Sequence, residues 1–466
     1  MKRLLNLILI SLTLIAVSSC SSDDNTLSSD PFVVAFTQPS GDLSAIETNE
    51  TIDLIYSVSA TNNGTFLITI NTENAVYGAD FTTEPAAIDG KILLPINSGT
   101  VGNNFRFNKL NPNLDDSSQI TFTITDIDYP DSDIRGYKTL VLNSEASSGG
   151  SMEPEVGGPN EQFQVYVNLS GKSFEKVQRD SWDLAFFSHD EFRVGINGSI
   201  FMATAELQET NIDNIRRSDV SSLLTEVVVG TFDPENEKYI DFPDGDINRT
   251  AINKISLDEA ENKVYLVNMG YTVGTETPTN GSVAVAGSAR GWKKIRILRN
   301  ADGYVLQYAD LNDTTHQEVT INKSAGFNAT FFSFNTNSVV NVEPEANKWD
   351  LNFTVFTNII EGAGSYGYSD GVLHNRKGGV TAYSVNTSQY AYDDFNGSNI
   401  NQNNFEIDQR AIGDSWRDVM NDDKVLIDNI FYVIKDSNGN FYKLKFTGLL
   451  NNNGVRGYPE FKYELL

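Results

Sequence analysis

Trp349-Asp350-Leu351 and, further on, Phe431-Tyr-Val-Ile-Lys-Asp-Ser-Asn438-Gly439-Asn-Phe-Tyr-Lys-Leu-Lys-Phe446 are the stretches whose reading decides the fold. The second is two apolar-rich runs joined by Asn-Gly, a dipeptide that tolerates positive φ in a two-residue hairpin turn. A weaker copy of the pattern occurs earlier: Trp182-Asp183-Leu184, then Ile295-Arg-Ile-Leu-Arg-Asn-Ala-Asp302-Gly303-Tyr-Val-Leu-Gln-Tyr308. Two related antiparallel β modules in tandem are therefore expected, over residues 161–311 and 314–466. The first carries an extra stretch at about 208–260, within which 218–228 reads as a short helix. Elsewhere helical periodicity is not sustained, so the chain is expected to be mainly β.

Outward from the modules, residues 144–160 are dominated by Ser, Gly, Glu and Pro and read as a linker. Residues 31–143 show short alternating runs, such as Ile52-Asp-Leu-Ile-Tyr-Ser-Val58 and Ile120-Thr-Phe-Thr-Ile-Thr125. Turn-rich gaps separate them, the pattern of an immunoglobulin-like β-sandwich. Gly78-Ala79-Asp80-Phe81 and Thr123-Ile-Thr-Asp126 weakly resemble Calx-β domains of that architecture. Asp126, Asp128, Asp131 and Asp133 cluster after a strand. Oxygen ligands of this kind suit Ca²⁺, but the spacing matches no EF-hand, and a solvated loop is the reading taken.

Ahead of the sandwich, Met1-Lys2-Arg3, an apolar run over 4–17 and Val17-Ser18-Ser19-Cys20 resemble a lipoprotein export signal over 1–19. Cys20 would then carry the lipid, with 20–30 as a polar tether. It is the only cysteine in 466 residues, which favours lipidation over a disulfide or a metal site. Ser21-Ser22-Asp23-Asp24 resembles the acidic tags of surface-displayed lipoproteins. The expected location is the outer membrane, facing the cell surface, with membrane attachment through the lipid anchor only. A formal net charge of −28 argues against nucleic acid as a partner, because phosphate binding needs clustered cations.

Enzymatic chemistry has little support. His189, His316 and His374 stand in three different contexts, without a Gly-x-Ser-x-Gly elbow, a His-Glu-x-x-His pair or a phosphate-cradling loop. The 62 acidic residues offer many carboxylate pairs, and a solvated surface is the reading taken for them. No enzyme and no structural metal is expected.

Phe331-Phe-Ser-Phe334, Val339-Val-Asn-Val342, Trp349-Asp350, Arg376-Lys377-Gly378-Gly379, Ile412-Gly413-Asp414-Ser415-Trp416-Arg417 and the hairpin of 431–446 follow in order. Together they resemble the HmuY family of lipid-anchored haem-binding proteins. The first module is similar in outline, through Val165-Tyr-Val-Asn-Leu169, Trp182-Asp183 and the Asp302-Gly303 hairpin. The resemblance implies an all-β fold and a haem or porphyrin pinched between two side chains. It also implies a role in iron acquisition and delivery to an outer-membrane haem transporter.

Haem iron takes axial donors from His, Met, Cys or Tyr, with cations near the propionates. The family's ligands are paired His, or Met in some relatives. Residues 380–411 contain no His, Met or Cys, only Tyr383, Tyr390 and Tyr392, while Met420 falls just after Trp416, close to the family's second-ligand position. The expected haem contacts are Met420, Tyr392 and His374, with Arg376 and Arg417 for the propionates. The alternative is a surface interaction protein that binds a glycan or a protein partner without haem, using its 19 tyrosines and 4 tryptophans for stacking.

Overall fold

The computed structural model describes residues 31–466, apart from 39, 44, 45, 113, 115–117, 136, 144–148 and 421–424. The export signal, Cys20 and the tether lie outside the described residues.

Two five-stranded sheets form the N-terminal sandwich. One runs in the order Phe81–Glu84, Gly102–Lys109, Asn49–Tyr56, Phe32–Phe36, Ser132–Asp133. The other runs Ser40–Asp42, Thr139–Asn143, Gln119–Asp128, Gly64–Glu73, Lys91–Ile96. Period-2 alternation decides which face goes inward. In Lys91–Ile96, Ile92, Leu94 and Ile96 are buried while the residues between them are exposed. Each strand thus gives one face to a shared core that includes Phe66, Phe105, Phe107 and Phe122. Pairing is antiparallel except at two edges, where Phe32–Phe36 meets Ser132–Asp133 and Thr139–Asn143 meets Ser40–Asp42 in parallel. The acidic cluster expected in a loop is spread over two strands: Asp126 and Asp128 end Gln119–Asp128 and are exposed, as is Asp131 in the turn, while Asp133 in the edge strand turns to Arg135.

The remainder of the chain runs twice through one series of strands. The first pass is Gly149–Met152, Phe163–Asn168, Ser173–Gln178, Leu184–Phe187, Val194–Ile196, Ala203–Glu206, Val264–Asn268, Trp292–Arg299 and Gly303–Asp310. The second is Gln317–Asn322, Ala329–Ser333, Ser338–Val340, Leu351–Ile360, Gly364–His374, Thr381–Asn386, Ile430–Lys435, Phe441–Leu450 and Arg456–Leu465. Short strand pairs interrupt both passes, Tyr271–Val273 with Ala286–Ala289 and Arg417–Asp418 with Val425–Leu426.

The two halves exchange their leading strands. Gly149–Met152 pairs with Arg456–Leu465, and reciprocally Gln317–Asn322 pairs with Gly303–Asp310. Phe163–Asn168 pairs with Leu351–Ile360, and Ala329–Ser333 pairs with Leu184–Phe187. Tandem in sequence, the halves share all four of these larger sheets.

Three expectations change. Residues 149–152 of the expected 144–160 linker are an edge strand. Gly149 has a φ of +114°, and a Cβ there would lie 2.4 Å from the Tyr463 carbonyl oxygen. The glycine that gives the stretch its linker composition is what lets it approach its neighbour. The Asn438-Gly439 and Asp302-Gly303 hairpins both form but are not equivalent. The former leads into Phe441–Leu450, the eighth strand of its pass, and the latter into Gly303–Asp310, the ninth. Of the helix expected at 218–228 only Leu223–Glu226 is α-helical, after a 3-10 turn at Arg217–Val220.

Candidate functional site

Trp182 and Trp349 stand immediately before equivalent strands, and the aspartate after each one fastens the exchange. Asp183 donates its backbone N–H to the Phe332 carbonyl (2.8 Å) and accepts the Phe334 N–H on a carboxylate oxygen (2.7 Å). Asp350 donates to the Val167 carbonyl (2.7 Å) and accepts the Leu169 N–H (2.8 Å). The turn-fixing role that the sequence suggests for Asp350 is thus a bond to the other half. Asn197 and Asn375 complete each arrangement. Their amides donate to the carbonyls of Trp182 and Trp349, and to those of Arg179 and Ala346 three residues earlier. Neither asparagine was singled out from sequence, because hairpins of different length separate it from its tryptophan.

A cavity of about 190 Å³ lies between the two tryptophans, lined from both halves. Register makes the halves comparable position by position. Leu184 faces Phe332 and Ile196; Leu351 faces Val167 and His374. Gln164 therefore corresponds to Ala329, Ala185 to Asn352, and Ile196 to His374. Trp182 donates its indole N–H to Gln164 at 2.7 Å. Across the seam Ala329 has no acceptor to offer, and Trp349 Nε1 is buried without a partner. Asn352 Oδ1, Glu343 Oε1 and both ring nitrogens of His374 are likewise closed off from water without a well-formed hydrogen bond.

Burial also sets the titration of the lining. It pushes Glu343 up to about 7, against the pull of Lys377 and of hydrogen bonds from Asn328 and Ala329. It pushes Asp241 up to about 6, although the Ala251 and Ile196 N–H groups bind that carboxylate. His374 is held down at about 4 by burial, with Asp408 and the Ile407 backbone opposing. Lys377 is lowered by burial while Glu343 and Asp241 favour its charge. The ionisable groups of the lining are buried, and each lies near opposite charge or hydrogen-bond donors.

The residues expected at a haem do not converge. His374 and Arg376 reach this cavity, but Arg376 is paired with Asp244 and Asp246. Arg417 is held by Asp370, Asp414 and the Ser369 carbonyl. Tyr392 is buried among Phe395 and Phe431, and its own carbonyl accepts from Lys443. Met420 is 91% exposed. Tyr383 and Tyr390 border a separate groove with Asn399, Asn401 and Asn404. Haem takes one or two axial donors in an apolar slot, and of the expected donors His374 alone lines this cavity. The seam cavity itself falls below the roughly 300–1,000 Å³ of sites for drug-sized ligands, and a tetrapyrrole needs more. Sequence reasoning missed Asp241, which stands outside any motif, and Glu343 and Asn352, each one residue beyond a motif read as fold alone. Comparing the two copies would have flagged Asn352, which occupies the position of Ala185.

No curated protein matches the chain. Among solved structures it is similar to the apo form of the Calx CBD1 domain, at 12% identity and a TM-score of 0.19, covering 24% of this chain and 96% of that one. It is also similar to a DUF4466 family protein from Parabacteroides merdae, at 6% identity and a TM-score of 0.16, covering 94% of this chain and 99% of that one. Neither likeness bears on function. The HmuY protein family matches twice, over residues 160–321 and 327–463, close to the two passes of the repeated strand series. The chain belongs to the HmuY family.

Proposed function

We infer that this is a non-catalytic binding protein, displayed at the outer membrane surface through a lipid on Cys20, whose ligand sits at the seam between the halves without an axial bond to iron. The observation that carries this reading is the group of partnerless polar atoms around the cavity between Trp182 and Trp349. Buried polar groups are ordinarily satisfied, so a cluster of unsatisfied ones beside a cavity implies a ligand or water that completes it. The settings of the three histidines support a non-catalytic role: His189 is exposed, His316 pairs with Asp213 at 3.0 Å, and His374 is buried. Among the described residues no helix is long and apolar enough to cross a membrane.

The second reading follows from family membership: haem or porphyrin is bound for iron acquisition and passed to an outer-membrane transporter. Titrating haemin into the purified mature protein separates the two. The first reading expects no shifted, sharpened Soret band of newly ligated iron, and no difference in Met420→Ala. A shifted Soret band that weakens in Met420→Ala or His374→Ala would replace it with the second.

A further inference from the structure

Resting on that reading, we propose that the seam cavity takes one neutral monosaccharide, its C–H face against Trp182, Ala185 and Ile196 and its hydroxyls toward Trp349 and Asn352. The partnerless atoms make contrasting demands. Trp349 Nε1 can only donate and Asn352 Oδ1 can only accept, whereas the neutral His374 ring, its donor drawn to the Ile407 backbone, leaves an acceptor. A hydroxyl group both donates and accepts, and several on one rigid ring meet all of these demands at once. Charge points the same way. Lys377 is offset by Glu343 and Asp241, and Arg376 by Asp244 and Asp246. A charged ligand would give up its hydration and find no free counter-charge.

The Trp182 side carries an apolar patch within a mixed lining that also holds Gln164, Asn197, Ser199 and Asp241. Ala185 and Ile196 stand where the second half has Asn352 and His374, and Trp182 and Phe331 meet edge to face at 4.9 Å beside them. Trp182 spends its polar atom on Gln164, so it presents hydrocarbon to the cavity. A sugar ring has this two-faced character, and its size suits a space of about 190 Å³. The extra stretch at 208–260 takes part as well. It supplies Asp241 and Phe242 to the lining, and its Pro243 carbonyl accepts from Gln409 of the second half at 2.9 Å.

The test uses the indole N–H resonances of the full mature protein, with the Trp349 signal assigned through Trp349→Phe. D-glucose, D-galactose and D-mannose are titrated separately at millimolar concentration. At least one is expected to move the Trp349 signal while Trp292 and Trp416 stay in place. Ala329→Gln installs the acceptor that Gln164 provides in the other half, and Asn352→Leu removes a hydroxyl partner. Each is expected to weaken the response about tenfold or more while the protein keeps a cooperative melt. If no hexose moves the Trp349 signal but glycine, imidazole or acetate does, the sugar proposal falls and the seam reading stands. If no probe moves it, both fall and the cavity holds water alone. A response undiminished in both variants would place the sugar elsewhere and overturn the proposal.

Discussion

The two halves of the repeated body agree in their backbone staples and disagree in what they turn toward their common cavity. Asp183 and Asp350 hold the facing strand through the same backbone bonds, and Asn197 and Asn375 donate alike to the Trp182 and Trp349 carbonyls. The wall residues Gln164, Ala185 and Ile196 have Ala329, Asn352 and His374 as counterparts, and polarity is inverted at each position. Staples hold strands that cross between halves, so changing one half's staple damages both. Wall residues bear on a cavity instead of a close-packed core, so they are free to differ. The difference therefore separates the architecture from the site.

The exchanged leading strands tie each half to the other, and removing one half gives the largest effect. A fragment of residues 314–466 contains Gln317–Asn322 and Ala329–Ser333, whose partner strands lie in the first half. It also lacks Gly149–Met152 and Phe163–Asn168, leaving Arg456–Leu465 and Leu351–Ile360 with open edges. It is expected to give no folded monomer. Light scattering on a sizing column together with near-ultraviolet circular dichroism reads this directly. A monomer with native-like aromatic signals would show that the exchange is dispensable.

The staples themselves are expected to differ in cost. Asp183 is fully buried and carries an ion pair with Arg290 at 2.6 Å, although burial raises its pKa. Asp183→Ala leaves that guanidinium buried without its counter-charge, at a cost of roughly 3–5 kcal/mol. Asp350→Ala deprives the Leu169 N–H of its acceptor, at roughly 1–3 kcal/mol. Urea unfolding midpoints of the two variants compare these directly. Equal losses would mean that the Arg290 ion pair does not set Asp183 apart from Asp350.

Much of this architecture was legible in the chain, because alternation and the Trp-Asp repeat are local signals. The exchange was not. Phe163–Asn168 reads the same whether it pairs within its own half or with Leu351–Ile360, since period 2 names a face and not a partner. Gly149 was hidden for a related reason: glycine marks both loops and close approaches. At the site, His374 and Arg376 were named from sequence and do reach the cavity, whereas Met420, Tyr392 and Arg417 were named by position in the family and do not. A donor's place in the sequence carries to a new chain only if the slot around it carries too.

The smallest effect concerns pH, where the unlike pair Ile196 and His374 makes a signed prediction. His374 has a folded pKa of about 4, below its ordinary 6.5, so between these values the unfolded chain binds the extra proton. Its contribution costs nothing above pH 6.5 and destabilises progressively as pH falls through 4, by up to about 3 kcal/mol. Glu343 works in the opposite sense. Its pKa is raised to about 7, so its stabilisation is complete below 4.5 and is lost as pH rises through 7. His374→Gln is expected to flatten the acid limb of the urea midpoint between pH 6.5 and 4, and Glu343→Gln the limb between 4.5 and 7. Ile196 cannot titrate, so the whole acid response of this position belongs to one half. If the acid limb survives in His374→Gln, the histidine is solvated in the folded protein. The polar wall is then wet, and its unsatisfied atoms need no ligand to complete them.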